Sequence, residues 1–158
     1  MMATLHVRSV QVADIPALHR GCWPQQTLSQ VEARIEELVQ IQNPKVRWGA
    51  VAVVENHSIG YGQLSRWGSH VEICNLIVAE EWRGRGAGTA LIQWLLHLSQ
   101  EKQFPIVEIG VAEANLRALA LYQRLGFHTD RSVMLDVGSG PEPVLYLSMD
   151  LRAVTRSE

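Results

Sequence analysis

Three glycines lie close together in the segment Arg83-Gly84-Arg85-Gly86-Ala87-Gly88-Thr89. The segment stands between a predicted strand and a predicted helix, where the first helical amides lack intrahelical partners and the helix dipole adds partial positive charge. Glycine lets the backbone approach a bulky anion, and the two arginines bring charge suited to phosphate oxygens. The segment therefore indicates a phosphate or pyrophosphate site, and the alternative is a tight strand-to-helix turn that binds nothing.

The spacing of these glycines excludes the two commonest nucleotide-binding loops. The Walker pattern ends in Gly-Lys followed by Ser or Thr, and no lysine follows any of these glycines. The dinucleotide pattern G-x-G-x-x-G requires a glycine at position 89, which is Thr89. A Rossmann domain also begins with its glycine turn, whereas this loop follows three strands that are predicted to be antiparallel. A mononucleotide-binding α/β protein that uses the same loop stays open as an alternative.

The elements around this loop are predicted from hydrophobic periodicity and from turn residues. The resulting order, β-α-α-β-β-β-α-β-α-β-β, predicts an α/β (α+β) fold in which one mixed sheet is flanked by helices. The three consecutive strands are expected to be antiparallel, and the two strands that flank the glycine loop and its helix are expected to be parallel. Strands are predicted at 5–10, about 46–54, 59–67, 70–79, 106–111, 127–137 and 144–151; helices begin at Asp14, at Ser29 (ending at Asn43-Pro44), after the glycine loop, and at Asn115 (capped by Gly126).

Composition narrows the class of protein. The chain has 158 residues, 47% of them hydrophobic, and a formal net charge of -2, so we expect a single domain over residues 1–158 and no nucleic-acid partner. No apolar run is long enough for a membrane span, and no secretory signal is visible. Because its two cysteines, Cys22 and Cys74, are interpreted as free thiols, the chain is expected to be cytoplasmic. Its six histidines lack the spacing of a zinc site, so no metal is expected.

Two motifs resemble those of the GCN5-related N-acetyltransferase (GNAT) superfamily. The segment Arg83-Gly84-Arg85-Gly86-Ala87-Gly88 is similar to the pattern Q/R-x-x-G-x-G/A, and Leu76-Ile77-Val78-Ala79-Glu80-Glu81-Trp82 resembles the strand that leads into it. Further along, Asn115-Leu116-Arg117-Ala118-Leu119-Ala120-Leu121-Tyr122-Gln123-Arg124-Leu125-Gly126-Phe127 is similar to N-x-x-A-x-x-x-Y-x-x-x-G-F. The resemblance covers at least residues 70–130. It implies a central, mostly antiparallel sheet whose parallel fourth and fifth strands, about 70–79 and 106–112, splay apart.

The resemblance implies that acetyl-coenzyme A (acetyl-CoA) is the cosubstrate. Its pantetheine arm would pair with main-chain groups of Leu76, Ile77 and Val78, and Asn115 and Tyr122 would lie near that arm. The loop amides would hold its pyrophosphate, and the loop residues concerned are Arg83, Gly84, Arg85, Gly86, Ala87, Gly88 and Thr89.

Tyr122 matches the tyrosine with which members of the family protonate the departing thiolate. A phenol and a thiol have ordinary pKa values of about 10 and 8.5, which are close enough for assisted proton transfer. The alternative is that Tyr122 only packs in the core beneath an amphipathic helix.

The sequence offers several candidates for the general base. Glu72, on the fourth strand, lies eleven residues before Arg83, a spacing similar to that of the catalytic glutamate in histone acetyltransferases of the family. Glu108, His70 and water stay open as alternatives. Cys74 is expected on the same strand face as Glu72 unless a bulge changes the register. It is not expected to be a nucleophile, because the family uses direct attack in a ternary complex.

The resemblance thus implies an acetyl-CoA-dependent N-acetyltransferase that acts on the primary amine of a small molecule or a peptide. A backbone amide between Leu76 and Val78 would stabilise the oxyanion. The alternative is a CoA-binding sensor or regulatory module without transfer activity. The acceptor groove is expected between about 15–45 and about 127–147, where Trp23, Trp48 and Trp67 either line it or pack in the core. Domains of this family are often homodimers.

Overall fold

The computed structural model describes residues 4–40, 46–136 and 138–152. Within them, the strands join one sheet in the order β1-β2-β3-β4-β5-β7-β6, and the sequence of elements confirms the predicted mixed α/β architecture. The strands are β1 (Leu5–Ser9), β2 (Arg47–Val54), β3 (His57–Trp67), β4 (His70–Val78), β5 (Ile106–Ala112), β6 (His128–Asp136) and β7 (Pro141–Asp150). The helices are α1 (Ile15–Gly21), α2 (Leu28–Gln40), α3 (Ala87–Glu101) and α4 (Leu116–Arg124).

The structure moves one predicted element boundary and does not describe another. The last strand begins earlier than expected because Pro141 already pairs with Asp136 of β6, and proline is tolerated at the first residue of a strand. The predicted end of the second helix, at 43–44, lies outside the described residues.

Helices α3 and α4 cover one face of the sheet. The side chains of α3 that point to the sheet repeat with helical spacing, which places them in one apolar stripe. Tyr122 and Phe127, at and beyond the end of α4, belong to the same buried cluster. Its other fully or nearly fully buried members include Leu91, Ile92 and Leu95 of α3 with Val71, Ile73, Val107 and Ile109 of the sheet.

Helices α1 and α2 cover part of the opposite face. Their buried side chains, Leu18, Val31 and Ile35, pack against β2 and β3. The Trp23 ring contacts the Tyr61 ring with centroids 5.2 Å apart, so core packing accounts for Trp23. The structure also pairs Trp48 with Phe104, at 5.8 Å between centroids, whereas Trp67 is 65% exposed.

The sheet opens between β4 and β5. The two strands pair in parallel over 70–73 and 106–109, and no described residue continues this pairing toward the ends of the strands. A bulge on β4 accompanies the opening: Asn75 has a left-handed φ of 52° and the pairing with β3 shifts by one residue. Glu72 and Cys74 precede the bulge and therefore share a face. The predicted splay of the fourth and fifth strands is confirmed.

Candidate active site

The glycine loop turns the chain from β4 into α3 in a conformation that favours glycine. Gly84 and Gly86 have φ of 74° and 92°, in the left-handed region where a side chain causes strain. Gly86 is the N-cap of α3, and no described side chain caps this helix end by a hydrogen bond. The first amides of α3, those of Ala87, Gly88 and Thr89, are therefore available to an external anion.

A cavity of about 560 Å³ lies between this loop and α4; we call it the glycine-loop cavity. A Cβ atom built on Gly86 or Gly88 would meet no atom within 4 Å, so the backbone here borders open space. The residues that line the cavity are Val78, Trp82, Arg83, Gly84, Gly86, Ala87, Gly88, Thr89, Asn115, Arg117, Ala118, Ala120, Leu121 and Arg124.

The two arginines of the loop have different places. Arg83 lines the cavity, and its Nε donates a hydrogen bond to the carbonyl oxygen of Val78 at 3.0 Å, which ties the loop to the end of β4. Arg85 instead stacks over the Trp82 ring at 5.0 Å and does not line the cavity. The sequence makes Arg83 and Arg85 equivalent candidates, but the turn at Gly84, with its positive φ, separates the directions of the two side chains.

Two further arginines at the cavity were not among the candidates from sequence. Arg117 and Arg124 of α4 both line it, and the Arg117 Nη2 lies 3.5 Å from the position of a Cβ on Gly84. Their spacing with Leu121 is i, i+4, i+7, which is one helical face. The i, i+4, i+7 spacing is the signal in the sequence that could have found these arginines, although both stand at unspecified positions of the motif N-x-x-A-x-x-x-Y-x-x-x-G-F.

Asn115 is the N-cap of α4 and has a structural role there. Its Oδ1 accepts a hydrogen bond from the amide of Ala118 at 3.2 Å, which is the usual bond of an N-cap side chain. The residue also borders the glycine-loop cavity. Asn115 thus fixes the start of the helix that carries Tyr122, Arg117 and Arg124.

The second half of β4 borders the opening of the sheet. Leu76, Ile77 and Val78 are half-buried, and the pairing of Ile77 with Tyr61 and of Val78 with Gly60 leaves the opposite strand edge toward β5. Along that edge no described strand satisfies the backbone of these residues, although Arg83 binds the Val78 carbonyl. An extended ligand could add to this edge as a strand does.

Tyr122 is buried on the face of the sheet that α3 and α4 cover, and it is not one of the residues that line the glycine-loop cavity. Only 8% of its surface is exposed, its ring meets Phe127 edge to face at 6.3 Å, and its hydroxyl bonds to no described residue. Burial raises the pKa of Tyr122 above its ordinary value, so the phenol keeps its proton at neutral pH. A protonated phenol without a partner is suited to be a proton donor.

The three candidate bases meet on the other face of the sheet, in a cleft of about 410 Å³ that we call the Glu72 cleft. Burial, with the Glu108 carboxylate adding to it, raises the pKa of Glu72, while the Trp67 Nε1 donates a hydrogen bond to its Oε1 at 3.0 Å. Glu108 is engaged differently, because Arg131 donates to both of its oxygens at 3.1 and 3.3 Å. The cleft is lined by Trp67, His70, Glu72, Glu108, Arg131, Val133, Leu135 and Tyr146.

Cys74 lacks the features of a nucleophile. Its thiol lies 3.4 Å from the Ser65 hydroxyl, and burial raises the pKa of the thiol above its ordinary value. Reactive cysteines have a lowered pKa beside a cation or a helix N-terminus. The geometry is therefore consistent with direct attack rather than an acyl-cysteine.

The described part of the chain contains no group of three or more His, Cys, Asp or Glu side chains that could hold a metal ion. None of its helices combines the length and the apolar character needed to span a bilayer.

Comparison with known proteins identifies relatives of the chain. The model of the acetyltransferase (GNAT) family matches residues 12–127. An uncharacterized N-acetyltransferase of Bacillus subtilis, YobR, is 37% identical over 79 residues, which are 50% of this chain and 27% of that protein. The peptidyl-lysine N-acetyltransferase YjaB of Salmonella typhimurium is 30% identical over 116 residues, which are 73% of each chain. The chain spans only 27% and 25% of the first two curated relatives it matches.

Solved structures share the fold. RimL, a ribosomal L7/L12 alpha-N-protein acetyltransferase in complex with coenzyme A, aligns with a TM-score of 0.81 at 14% identity. The alignment covers 93% of this chain and 94% of that one. At this identity the likeness concerns the fold alone.

Proposed function

Because the chain belongs to the GNAT acetyltransferase family, we propose that it transfers the acetyl group of acetyl-CoA to a primary amine by direct attack in a ternary complex. One observation carries this proposal: the sheet opens between β4 and β5, with the glycine-loop cavity and Tyr122 on one face and the Glu72 cleft on the other. A donor and an acceptor that enter from opposite faces would meet at this opening.

The glycine-loop cavity fits the phosphates of acetyl-CoA. The free amides of Ala87, Gly88 and Thr89 would bind the pyrophosphate, with charge from arginines on both sides of the cavity. The unpaired edge of residues 76–78 suits an extended arm that carries amide groups, and an amide there would donate to the thioester oxygen. These residues would bring the thioester to the opening of the sheet.

Glu72, beside the opening on one face of the sheet, and Tyr122, on the other face, divide the proton transfers between them. Glu72 accepts a proton from the acceptor ammonium, directly or through water, and its raised pKa brings it nearer to the range of an effective base. The free amine then attacks the thioester carbonyl, the bond from carbon to sulfur breaks, and Tyr122 donates its proton to the leaving thiolate. Glu108 is the weaker candidate because Arg131 already neutralises it.

The proposed acceptor class is a primary amine, which is in keeping with the N-acetyltransferase names of the relatives. The relative YjaB is named for peptidyl-lysine, which makes the ε-amine of a lysine residue one member of the class to be tested.

The cosubstrate is tested by thermal unfolding with acetyl-CoA, NAD, FMN and ATP in parallel. A ligand at one hundred times its Kd adds about 2.7 kcal/mol to the free energy of unfolding, which raises Tm by about 5–10 °C in a domain of this size. We expect this rise with acetyl-CoA alone. An equal rise with ATP, or none with acetyl-CoA, would contradict the proposal.

Two exposed arginines provide a matched control for the same measurement. Arg117→Ala removes a cation from the cavity and is expected to weaken acetyl-CoA binding by about tenfold or more, since a charged hydrogen bond contributes about 1.5–3 kcal/mol. Arg85→Ala removes a cation that stacks on Trp82 outside the cavity and should leave the affinity unchanged. Equal losses in both variants would point to a diffuse charge effect.

A further inference from the structure

The Glu72 cleft combines exposed apolar side chains with a charged floor. Trp67 is 65% exposed and Leu135 is 37% exposed, and both line the cleft together with the Tyr146 ring. Large apolar side chains that are exposed together at a cleft indicate a ligand-binding or interaction site. The indole of Trp67 is also fixed in place, because its Nε1 bonds to Glu72.

The charged groups in the Glu72 cleft differ in the number of charged partners that they have. Arg131 lies 3.1 Å from Glu108 and 3.0 Å from Asp130, and its guanidinium stacks over the Tyr146 ring at 4.6 Å. This cation is therefore already shared by two carboxylates. Glu72, by contrast, forms no ion pair with a described residue, and its one described hydrogen bond comes from the neutral Trp67 indole.

This arrangement distinguishes between classes of amine. An ammonium group finds a carboxylate at Glu72 and the exposed ring of Trp67, which attracts cations, whereas Arg131 already stacks on the Tyr146 ring. An apolar stem behind the ammonium finds Trp67 and Leu135. A carboxylate next to the amine would meet Glu72 and Glu108 with no unshared arginine among the described lining residues. The other ionisable side chains that line the cleft are His70 and Tyr146.

We propose that the acceptor is a primary amine on an unbranched apolar stem, with no carboxylate on the carbon that carries the amine, and that Trp67 selects it. This inference rests on the proposed function. A lysine side chain within a peptide and a simple alkylamine both belong to this class, whereas free α-amino acids do not. Trp67 acts as a platform for the stem, and Glu72 receives the ammonium.

The test compares acetylation of three probes that differ in one feature each: n-pentylamine, ethylamine with a shorter stem, and norleucine, which is pentylamine with a carboxylate on the carbon that carries the amine. Release of the CoA thiol gives kcat/KM for each. We expect kcat/KM for pentylamine to exceed that for ethylamine by about eightfold. This factor is the one expected when three additional methylenes each lose half of their contact with water. We expect norleucine to fall at least tenfold below pentylamine.

Two variants of one residue separate the platform from the hydrogen bond to Glu72. Trp67→Phe loses that bond and keeps an aromatic face, so the ratio of pentylamine to ethylamine should persist even if both rates change. Trp67→Ala loses the face as well, so the ratio should fall toward one. Met134→Ala is the control, since Met134 is 62% exposed on β6 but does not line the cleft, and it should retain the wild-type ratio.

The outcomes distinguish this inference from the proposed function. The inference is overturned if thiol release is as fast with norleucine as with pentylamine. It is also overturned if Trp67→Ala leaves the ratio of pentylamine to ethylamine unchanged. Neither result counts against the proposed transferase function. Binding of acetyl-CoA without thiol release for any of the probes or for a lysine peptide counts against the transferase, and the inference fails with it.

Discussion

Replacement of Tyr122 by phenylalanine is expected to lower kcat by about a hundredfold or more, because general acid catalysis contributes about 10²–10⁴ in rate. The Kd for acetyl-CoA should stay within about twofold, since the change keeps the ring that packs on Phe127 and removes a hydroxyl without a described partner. Steady-state thiol release gives kcat, and calorimetric titration with acetyl-CoA gives Kd.

Tyr61→Phe is the matched control for this variant. The Tyr61 hydroxyl donates to the Gln63 side chain at 2.8 Å beneath α1 and α2, away from the glycine-loop cavity. Its loss should lower the free energy of unfolding by about 1 kcal/mol with little effect on kcat. Should Tyr122→Phe behave in the same way, Tyr122 is a core residue and not the acid.

Gly88→Leu is expected to weaken acetyl-CoA binding by about a hundredfold or more while the protein still folds. Gly88 lies in the first turn of α3, its φ is not positive, and a Cβ there would meet no atom within 4 Å. Leucine favours a helix over glycine by up to about 1 kcal/mol, so Tm without ligand should not fall. The new side chain would occupy the space beside the free amides, where the pyrophosphate is proposed to bind. A hundredfold loss of affinity for acetyl-CoA corresponds to about 2.7 kcal/mol.

A second leucine in the same helix controls for added apolar surface. Gln93 is exposed in α3 and does not line the cavity, so Gln93→Leu should leave both Kd and kcat unchanged. Calorimetric titration of both variants compares them directly. An unchanged Kd in Gly88→Leu would mean that the glycine-loop cavity is not the cosubstrate site.

The glycine loop and the order of elements were predictable because their signals are local. Glycines at 84 and 86 take the positive φ that a turn into a helix requires, and periodicity places the strands and helices around them. The bulge at Asn75 is compatible with its residue type, since asparagine tolerates the left-handed conformation better than most residues. Nothing local, however, requires a bulge at that asparagine.

The parts that could not be predicted depend on tertiary contacts. The approach of Arg117 to Gly84 and the pairing of Glu108 with Arg131 join residues far apart in the sequence. The direction of Arg85 onto Trp82 is a contact over three residues, and it depends on how the glycine turn folds. As a result, the sequence left Glu72 and Glu108 as open alternatives. Their partners in the fold favour Glu72 as the base, because Arg131, the arginine among the described residues that line the cleft, is already paired with Glu108.

The function proposed for this chain is the transfer of an acetyl group from acetyl-CoA to a primary amine. The direct measurement supplies isotopically labelled acetyl-CoA with alkylamines, amino acids and lysine peptides, and follows thiol release and labelled product by mass spectrometry. We predict one acetylated amine for each thiol released, a rate about a hundredfold lower in Tyr122→Phe, and a rate limited by weak binding in Gly88→Leu. Tight binding of acetyl-CoA with no labelled amine across the panel would contradict the account and identify a CoA-binding module instead.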